Sequence, residues 1–322
     1  MADNQSLLQQ ILDRYGLANA RAFPLQSYNN QVYRIESTDS QYFSLRICGF
    51  PNMKRRSMED EMRWLDFVAQ HNPRLAPRPI ANDRGEFVTV TATPAGDRLS
   101  CLFAWIEGRE LRGAATPAEM HKMGRSVAAL HNIAREFPFP YAGSDFRGGY
   151  CYDQSLMVSH RSWIDEHRAA IGAEQVTLLE RAIDYVVAAL DRLGKSRANY
   201  GVIHADLHLG NVLVQDGEIA IMDFEQLGRG HFLYDLTVLW TELADEPTAL
   251  APRWQSFVAG YGEVAEVPFT QQEELDPFVV AIQLNALDWI YNADNPAVRV
   301  DYWPKLPFYY ASIRQRVDGG RH

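Results

Sequence analysis

The apolar residues of this chain change period once, from the alternation of strands to the spacing of helices, and that change limits what the chain can fold into. Between Leu25 and Trp105 they fall in short alternating or β-rich runs: Val32 to Ile35, Tyr42 to Cys48, Phe87 to Thr91 and Leu99 to Trp105. Turn residues such as Asn82-Asp83, Arg84-Gly85 and Ala95-Gly96-Asp97 bound several of these runs. One helix, Ser57 to about Gln70, interrupts the strands, and an N-terminal helix, Leu7 to Tyr15, is expected to pack on them. After Thr116-Pro117, a helix start with proline in its first turn, helical periodicity dominates. Helices are expected at about 118–135, 156–170, 174–193, 231–244, 250–262, 271–290 and 305–317. The expected architecture is α+β and bilobal, with a small β-rich lobe over residues 1–105 and a larger, mainly helical lobe over 106–322. The cleft between two such lobes is the natural place for a ligand.

With 322 residues, 47% hydrophobic and 22% charged, the chain is long enough for a two-lobed enzyme and too apolar for disorder. A formal charge of −10 argues against nonspecific binding to nucleic acid, which needs a basic surface to displace counterions. An acidic surface tolerates a cationic ligand without identifying one. Cys48, Cys101 and Cys151 are odd in number, far apart and without CxxC spacing, so they read as reduced thiols, not as a disulfide frame or a zinc site. The opening residues, MADNQSLLQQ, lack a basic n-region and a sustained apolar core, and no segment approaches the roughly 20 apolar residues of a membrane span. A soluble, cytoplasmic protein is expected.

The stretch Tyr200 to Asp223, YGVIHADLHLGNVLVQDGEIAIMD, carries the chemistry. His204 and Asp206 open a polar loop, Asn211 closes it, and Asp223 follows the apolar run Ile219 to Met222. This is the layout of a phosphoryl-transfer site: one carboxylate, Asp206, orients the attacking hydroxyl and takes its proton, while an amide oxygen, Asn211, and a second carboxylate, Asp223, hold magnesium against nucleotide phosphates. HADLHLGN fits the HxDxxxxN form of a kinase catalytic loop, and Asp223-Phe224-Glu225 stands where kinases carry Asp-Phe-Gly.

At these residues the chain resembles the aminoglycoside phosphotransferase and choline kinase superfamily, which shares the protein-kinase-like fold. The sequence DFEQLGRGHFLYDL is most similar to the branch holding homoserine kinase-like enzymes and the bacterial stress-response Ser/Thr kinase. The resemblance runs from about Leu25 to the C-terminus. It implies ATP and magnesium as cofactors and a hydroxyl acceptor, either a small molecule or, in the stress-response branch, a protein.

Other site positions follow from the strands. Tyr42, Ser44, Arg46 and Cys48 share one face of their strand. Arg46 stands where the kinase pattern puts a phosphate-binding lysine, and Ser44 on the same face is expected near the adenine. Arg46 is either a phosphate clamp, the reading adopted here, or a solvated strand residue. Glu61, on an apolar face with Trp64, Leu65 and Val68, is its expected partner; Glu59 and Asp60 are the alternatives. The segment Gln26 to Gln31 occupies the place of the glycine-rich phosphate loop without a glycine, so Ser27, Asn29 and Asn30, with Val32 following, are expected to meet the nucleotide. Phe103 and Trp105 fall in the inter-lobe hinge, whose backbone would meet the adenine edge; the Trp105 ring is expected in the core.

His204 is expected to brace the loop, and His208 either contacts substrate or is solvated. Leu209 stands where the aminoglycoside kinase pattern usually has proline. Asp235 either braces the catalytic loop, as the resemblance implies, or caps a helix. Glu225 is an additional acid, and too little chain follows Asp223 for a movable activation segment. The acceptor pocket is expected among the helices from about 271 to 317, which carry Asp288, Trp289, Tyr291, Asp294 and Tyr302. A small-molecule kinase is the leading reading, a Ser/Thr protein kinase the second, and a nucleotide-binding pseudokinase scaffold a third.

Overall fold

A computed structural model describes residues 2–27, 30–49, 55–113, 115–138, 151–244, 246–293 and 296–319. It opens with helix α1 (Ala2–Asp13), followed by strands β1 (Arg21–Ser27), β2 (Asn30–Glu36) and β3 (Tyr42–Cys48). Helix α2 (Arg55–His71) then leads to β4 (Pro79–Ile80), β5 (Thr89–Thr91) and β6 (Arg98–Ala104). These strands form one antiparallel sheet in the order β1-β2-β3-β6-β4, with β5 paired to β6.

Side-chain alternation gives this sheet two apolar faces. Ile35, Leu45, Ile47 and Leu102 pack against Ile11 and Leu12 of α1. Cys48, Cys101 and Phe103 point the other way and join Met58, Met62 and Leu65 of α2. The helix therefore covers the same face on which Arg46 lies. β1 is a longer edge strand than the apolar pattern suggests, because Pro24 interrupts that pattern and Leu25 is exposed. An edge tolerates a proline, and the register shifts between Pro24 and Gln26.

Strand β7 (Arg109–Glu110) leads into α3 (Pro117–Glu136). The α3 start is fixed by a reciprocal cap: the Glu119 carboxylate accepts the Thr116 N–H at 2.9 Å and the Thr116 hydroxyl accepts the Glu119 N–H at 3.3 Å. Then come β8 (Cys151–Tyr152), α4 (Gln154–Ile171), α5 (Ala173–Leu193), β9 (Tyr200–Ile203), β10 (Val212–Gln215), β11 (Glu218–Ile221) and β12 (Gly228–His231). The chain ends with α6 (Phe232–Ala244), α7 (Pro247–Gly262), α8 (Asp276–Asn292), α9 (Pro296–Tyr302) and α10 (Leu306–Gly319). Helices α3 and α7 cross in close contact because each has a glycine at the crossing: a Cβ on Gly124 would strike the Phe257 carbonyl, and one on Gly260 the backbone of His121.

The helical part holds more strand than expected. Near His231, where the pattern suggests only a helix, Gly228–His231 pairs antiparallel with β9 and parallel with β8. Two glycines hide this strand from any hydrophobic pattern, and Gly230 packs closely there, since a Cβ would press on the side chains of Ile203 and Tyr152. The helix expected from residue 271 begins as a 3-10 turn, Gln272–Leu275, before α8. The short α9, starting at a proline, has no counterpart in the pattern. Among the described residues no helix is long and apolar enough to cross a membrane.

Candidate active site

β9 delivers His204 at the head of the polar loop, and two residues there adopt left-handed backbone: Ala205 (φ 65°) and, after β11, Asp223 (φ 57°, ψ 68°). Such geometry costs a non-glycine residue about 1–2 kcal/mol, so the surroundings must hold it. Asp235, fully buried in the first turn of α6, does so at Ala205: Oδ1 accepts the Ala205 N–H at 2.7 Å and Oδ2 the His204 N–H at 2.9 Å. These bonds make it a brace for the loop. His131 of α3 adds a third donor, Nε2 lying 3.2 Å from Asp235 Oδ2, while its Nδ1 faces the Tyr261 hydroxyl at 2.9 Å. Burial lowers the His131 pKa against the pull of the Asp235 carboxylate. The His204 ring also braces the loop. Its Nε2–H donates to the Met222 carbonyl at 2.7 Å, and its Nδ1 accepts the Asp206 N–H at 3.3 Å.

Asp206 and Asn211 meet within this loop. The Asn211 amide nitrogen donates to the Asp206 carbonyl at 3.0 Å and to Asp206 Oδ2 at 3.3 Å, leaving Oδ1 as the atom with which Asn211 can coordinate a cation. Asp206 is 43% exposed, open to an incoming hydroxyl. His208 turns inward, its Nδ1 accepting the Gly210 N–H at 3.0 Å and its Nε2 lying 3.7 Å from Asp206 Oδ2. Leu209 is buried and donates its N–H to Glu242 Oε2 at 2.6 Å, a bond that proline could not make. Asp223 is exposed, with no hydrogen bond from its carboxylate to a described residue.

The strand lobe presents the complementary set. Register pairs Val32 with Arg46 and Arg46 with Cys101, and in the next row Ser44 with Phe103, so Val32, Ser44, Arg46 and Phe103 share one face. Arg46 forms a two-pronged pair with Glu61, Nη1 to Oε1 at 2.9 Å and Nη2 to Oε2 at 2.7 Å. The alternative partners are taken elsewhere, Glu59 by Arg55 and Asp60 by Arg63. Burial alone would lower the Arg46 pKa; the charge and hydrogen bonds of Glu61 outweigh it, with Glu225 adding to them, and raise it. Burial also pushes the neighbouring Cys101 thiol up to about 12, which makes it inert.

Glu225 ties the two sets together. It lies 3.8 Å from Arg46 Nη1 and accepts a hydrogen bond from Asn30, whose own Oδ1 accepts the Gly49 N–H at 3.1 Å. Asn30 is thus buried against Glu225 at the start of β2. Ser27 ends β1, while Asn29 and Asp294 lie outside the described residues. Trp105, expected in the core, is only half-buried. It follows β6 and donates Nε1–H to Glu107 at 2.7 Å, because the strand has ended and its ring no longer points between sheet and helix.

Pattern reading does not reach three of these contacts: Asn30 with Glu225, Leu209 with Glu242, and His131 with Asp235. A histidine on the otherwise apolar face of α3 is the one local trace of the last of them. Among the described residues no group of three or more His, Cys, Asp or Glu is placed to hold a metal. Asn211 and Asp223 offer two hard oxygen donors, which suits a magnesium ion that takes most of its ligands from phosphates and water.

A strand-rich lobe followed by a helical one that carries such a loop defines the protein-kinase-like fold class. Within that class the chain belongs to the phosphotransferase enzyme family, whose sequence model matches residues 21–267. Amicoumacin kinase of Bacillus subtilis (strain 168) is 26% identical over 286 residues, covering 85% of this chain and 78% of that protein. Serine/threonine protein kinase RdoA of Salmonella typhimurium is 20% identical over 287 residues, covering 89% and 82%. The solved structure of a microcompartment-associated aminopropanol kinase superposes over 99% of both chains with a TM-score of 0.77 at 24% identity, a likeness of fold.

Proposed function

We propose that this phosphotransferase moves the γ-phosphoryl group of ATP to the hydroxyl of a small molecule. Asp206 orients the acceptor hydroxyl and takes its proton as the new O–P bond forms and the bond from the γ-phosphorus to its bridging oxygen breaks, leaving ADP. Asn211 Oδ1 and Asp223 hold magnesium, which when bound neutralises charge on the phosphate oxygens. Arg46, fixed by Glu61, neutralises the phosphates from the strand side. The face carrying Val32, Ser44 and Phe103, with the backbone at Trp105, receives the adenine end, and Ser27 and Asn29 are the proposed neighbours of the phosphates, with Asn30 supporting that turn through its bonds to Glu225 and Gly49.

The observation that carries this reading is the Asp206–Asn211 contact on a loop pinned by Asp235. Catalysis of phosphoryl transfer is largely positioning and electrostatics, and these are the groups it needs held still. A small acceptor is favoured over a protein because the chain passes from Asp223 through one 3-10 turn and β12 directly into α6, with no extended segment on which to lay a peptide. The named activities of the amicoumacin and aminopropanol kinases support the same choice. The test is incubation with magnesium-ATP and a panel of amino alcohols, aminoglycosides and generic protein substrates, read by mass spectrometry. Phosphate gain on a small alcohol is the expected result. Gain on protein alone would make this a protein kinase, as the RdoA relative's name suggests, and ATP binding without any transfer would make it a scaffold.

A further inference from the structure

Glu225 stands two residues after Asp223, in the 3-10 turn Phe224–Gln226. Its carboxylate reaches across to the strand lobe, where it accepts a hydrogen bond from the Asn30 side chain and lies 3.8 Å from Arg46 Nη1. Asn30 is 3% exposed and is itself held, its Oδ1 accepting the Gly49 N–H at 3.1 Å. Asn30 opens β2 and Gly49 follows β3, so this bond ties the turn after Asp223 to the two strands that carry Val32 and Arg46.

The charges at this point are set against a phosphate. Both prongs of Arg46 lie on Glu61, so that pair is neutral before any ligand arrives. Glu225 brings a second carboxylate to the same guanidinium, and one cation against two anions leaves the cluster negative. At 3.8 Å its contact with Arg46 is within ion-pair range but beyond hydrogen-bond range. The guanidinium contact is therefore electrostatic, while the amide bond is directional, and Asn30 is what fixes the carboxylate beside Arg46.

We propose that Glu225 is a selectivity residue of the nucleotide site: held beside Arg46 by Asn30, it competes with phosphate oxygens for that guanidinium, so that nucleotide without magnesium, and ADP after transfer, is bound weakly. The inference rests on the reading of Arg46 as the phosphate clamp. A bare nucleotide brings only negative charge to a cluster that is already negative, whereas magnesium bound with it offsets that repulsion. The same competition acts on ADP once the γ-phosphoryl group has left, and so favours release of product.

Calorimetric titration with ATP and with ADP, each in magnesium and in EDTA, tests this without turnover. Glu225→Gln nearly keeps the shape and an oxygen that can accept from Asn30, and removes the charge. It should tighten metal-free ATP and ADP by roughly 10-fold, the scale of one charged interaction, and narrow the gap between them and magnesium-ATP. Asn30→Ala keeps every charge and loosens the carboxylate. It should tighten the same ligands by a smaller factor, and add nothing when combined with Glu225→Gln. Unchanged or weaker metal-free binding in Glu225→Gln overturns the proposal, and weaker magnesium-ATP binding beside it would show that Glu225 serves the metal instead. No effect of Asn30→Ala would reduce the Glu225 result to general surface charge, and weaker binding would make Asn30 a direct phosphate ligand; either overturns the proposal. All of these leave the phosphotransferase reading intact as long as the wild type binds magnesium-ATP. A wild type that binds no nucleotide fails that reading and this one together.

Discussion

Glu61 has Arg46 as its one cationic partner among the described residues, whereas Arg46 has a second acid, Glu225, 3.8 Å away on its other side. The pair is therefore asymmetric. Arg46→Ala strands a carboxylate that is 1% exposed, and removing one partner of a buried pair costs about 3–5 kcal/mol. Glu61→Ala leaves Arg46 with Glu225 and should cost less. Urea unfolding of both variants and of the double mutant checks this, with the double mutant expected below the sum of the singles. In steady-state kinetics Arg46→Ala should raise KM for ATP and lower turnover. Arg46→Lys should recover part of the loss, limited by the missing second prong.

Asp235 accepts three donors, the N–H groups of His204 and Ala205 and the His131 ring. Asp235→Asn replaces one acceptor oxygen with an NH2 group that faces a donor. Because Asp235 holds the loop without being placed to touch substrate, kcat should fall, by about 100-fold if Asp206 moves by an ångström, with a smaller change in KM for ATP. A loss confined to KM would show that the loop does not depend on this brace.

How much was legible follows from whether a signal is local. The loop His204 to Asn211 shows in the sequence because its polar residues stand at fixed spacing between apolar strands, and Arg46 with Glu61 because face and periodicity bring them together. Asn30 and Glu225 are 195 residues apart and leave no pattern. Strand β12 is hidden by its two glycines, of which Gly230 is closely packed, β1 by a proline that an edge position tolerates, and the turn of Trp105 toward Glu107 by a strand end that no hydrophobic run marks.

Leu209→Pro would install the residue usual in aminoglycoside kinases and remove the N–H that Glu242 accepts. An unsatisfied polar group of this kind costs about 1–3 kcal/mol, so a lower unfolding midpoint is expected. Glu242→Gln retains an acceptor oxygen and should be nearly neutral. Equal stability of Leu209→Pro and wild type would remove this bond from the loop's support.

His231 is buried with neither ring nitrogen bonded to a described residue. Burial, assisted by Lys195 and opposed by Asp153, lowers its pKa from 6.5 to about 4. Between those values the unfolded chain binds a proton that the folded chain does not, so the stabilisation is complete above pH 6.5 and declines as pH falls toward 4. The full effect is about 3 kcal/mol. His231→Leu should flatten this acid-side decline in urea melts at a series of pH values, since other titrating groups are common to both proteins. An unchanged slope would show that the His231 shift is absent.

The most direct test of the site is Asp206→Asn, assayed side by side for magnesium-ATP affinity and for single-turnover phosphoryl transfer to whichever alcohol the wild type phosphorylates. The substitution nearly conserves shape, keeps the contact with Asn211 within reach and removes the proton acceptor. Affinity for magnesium-ATP within a few-fold of wild type, with transfer reduced by at least about 100-fold, is the predicted result. Transfer at close to the wild-type rate in Asp206→Asn would contradict the account at its centre.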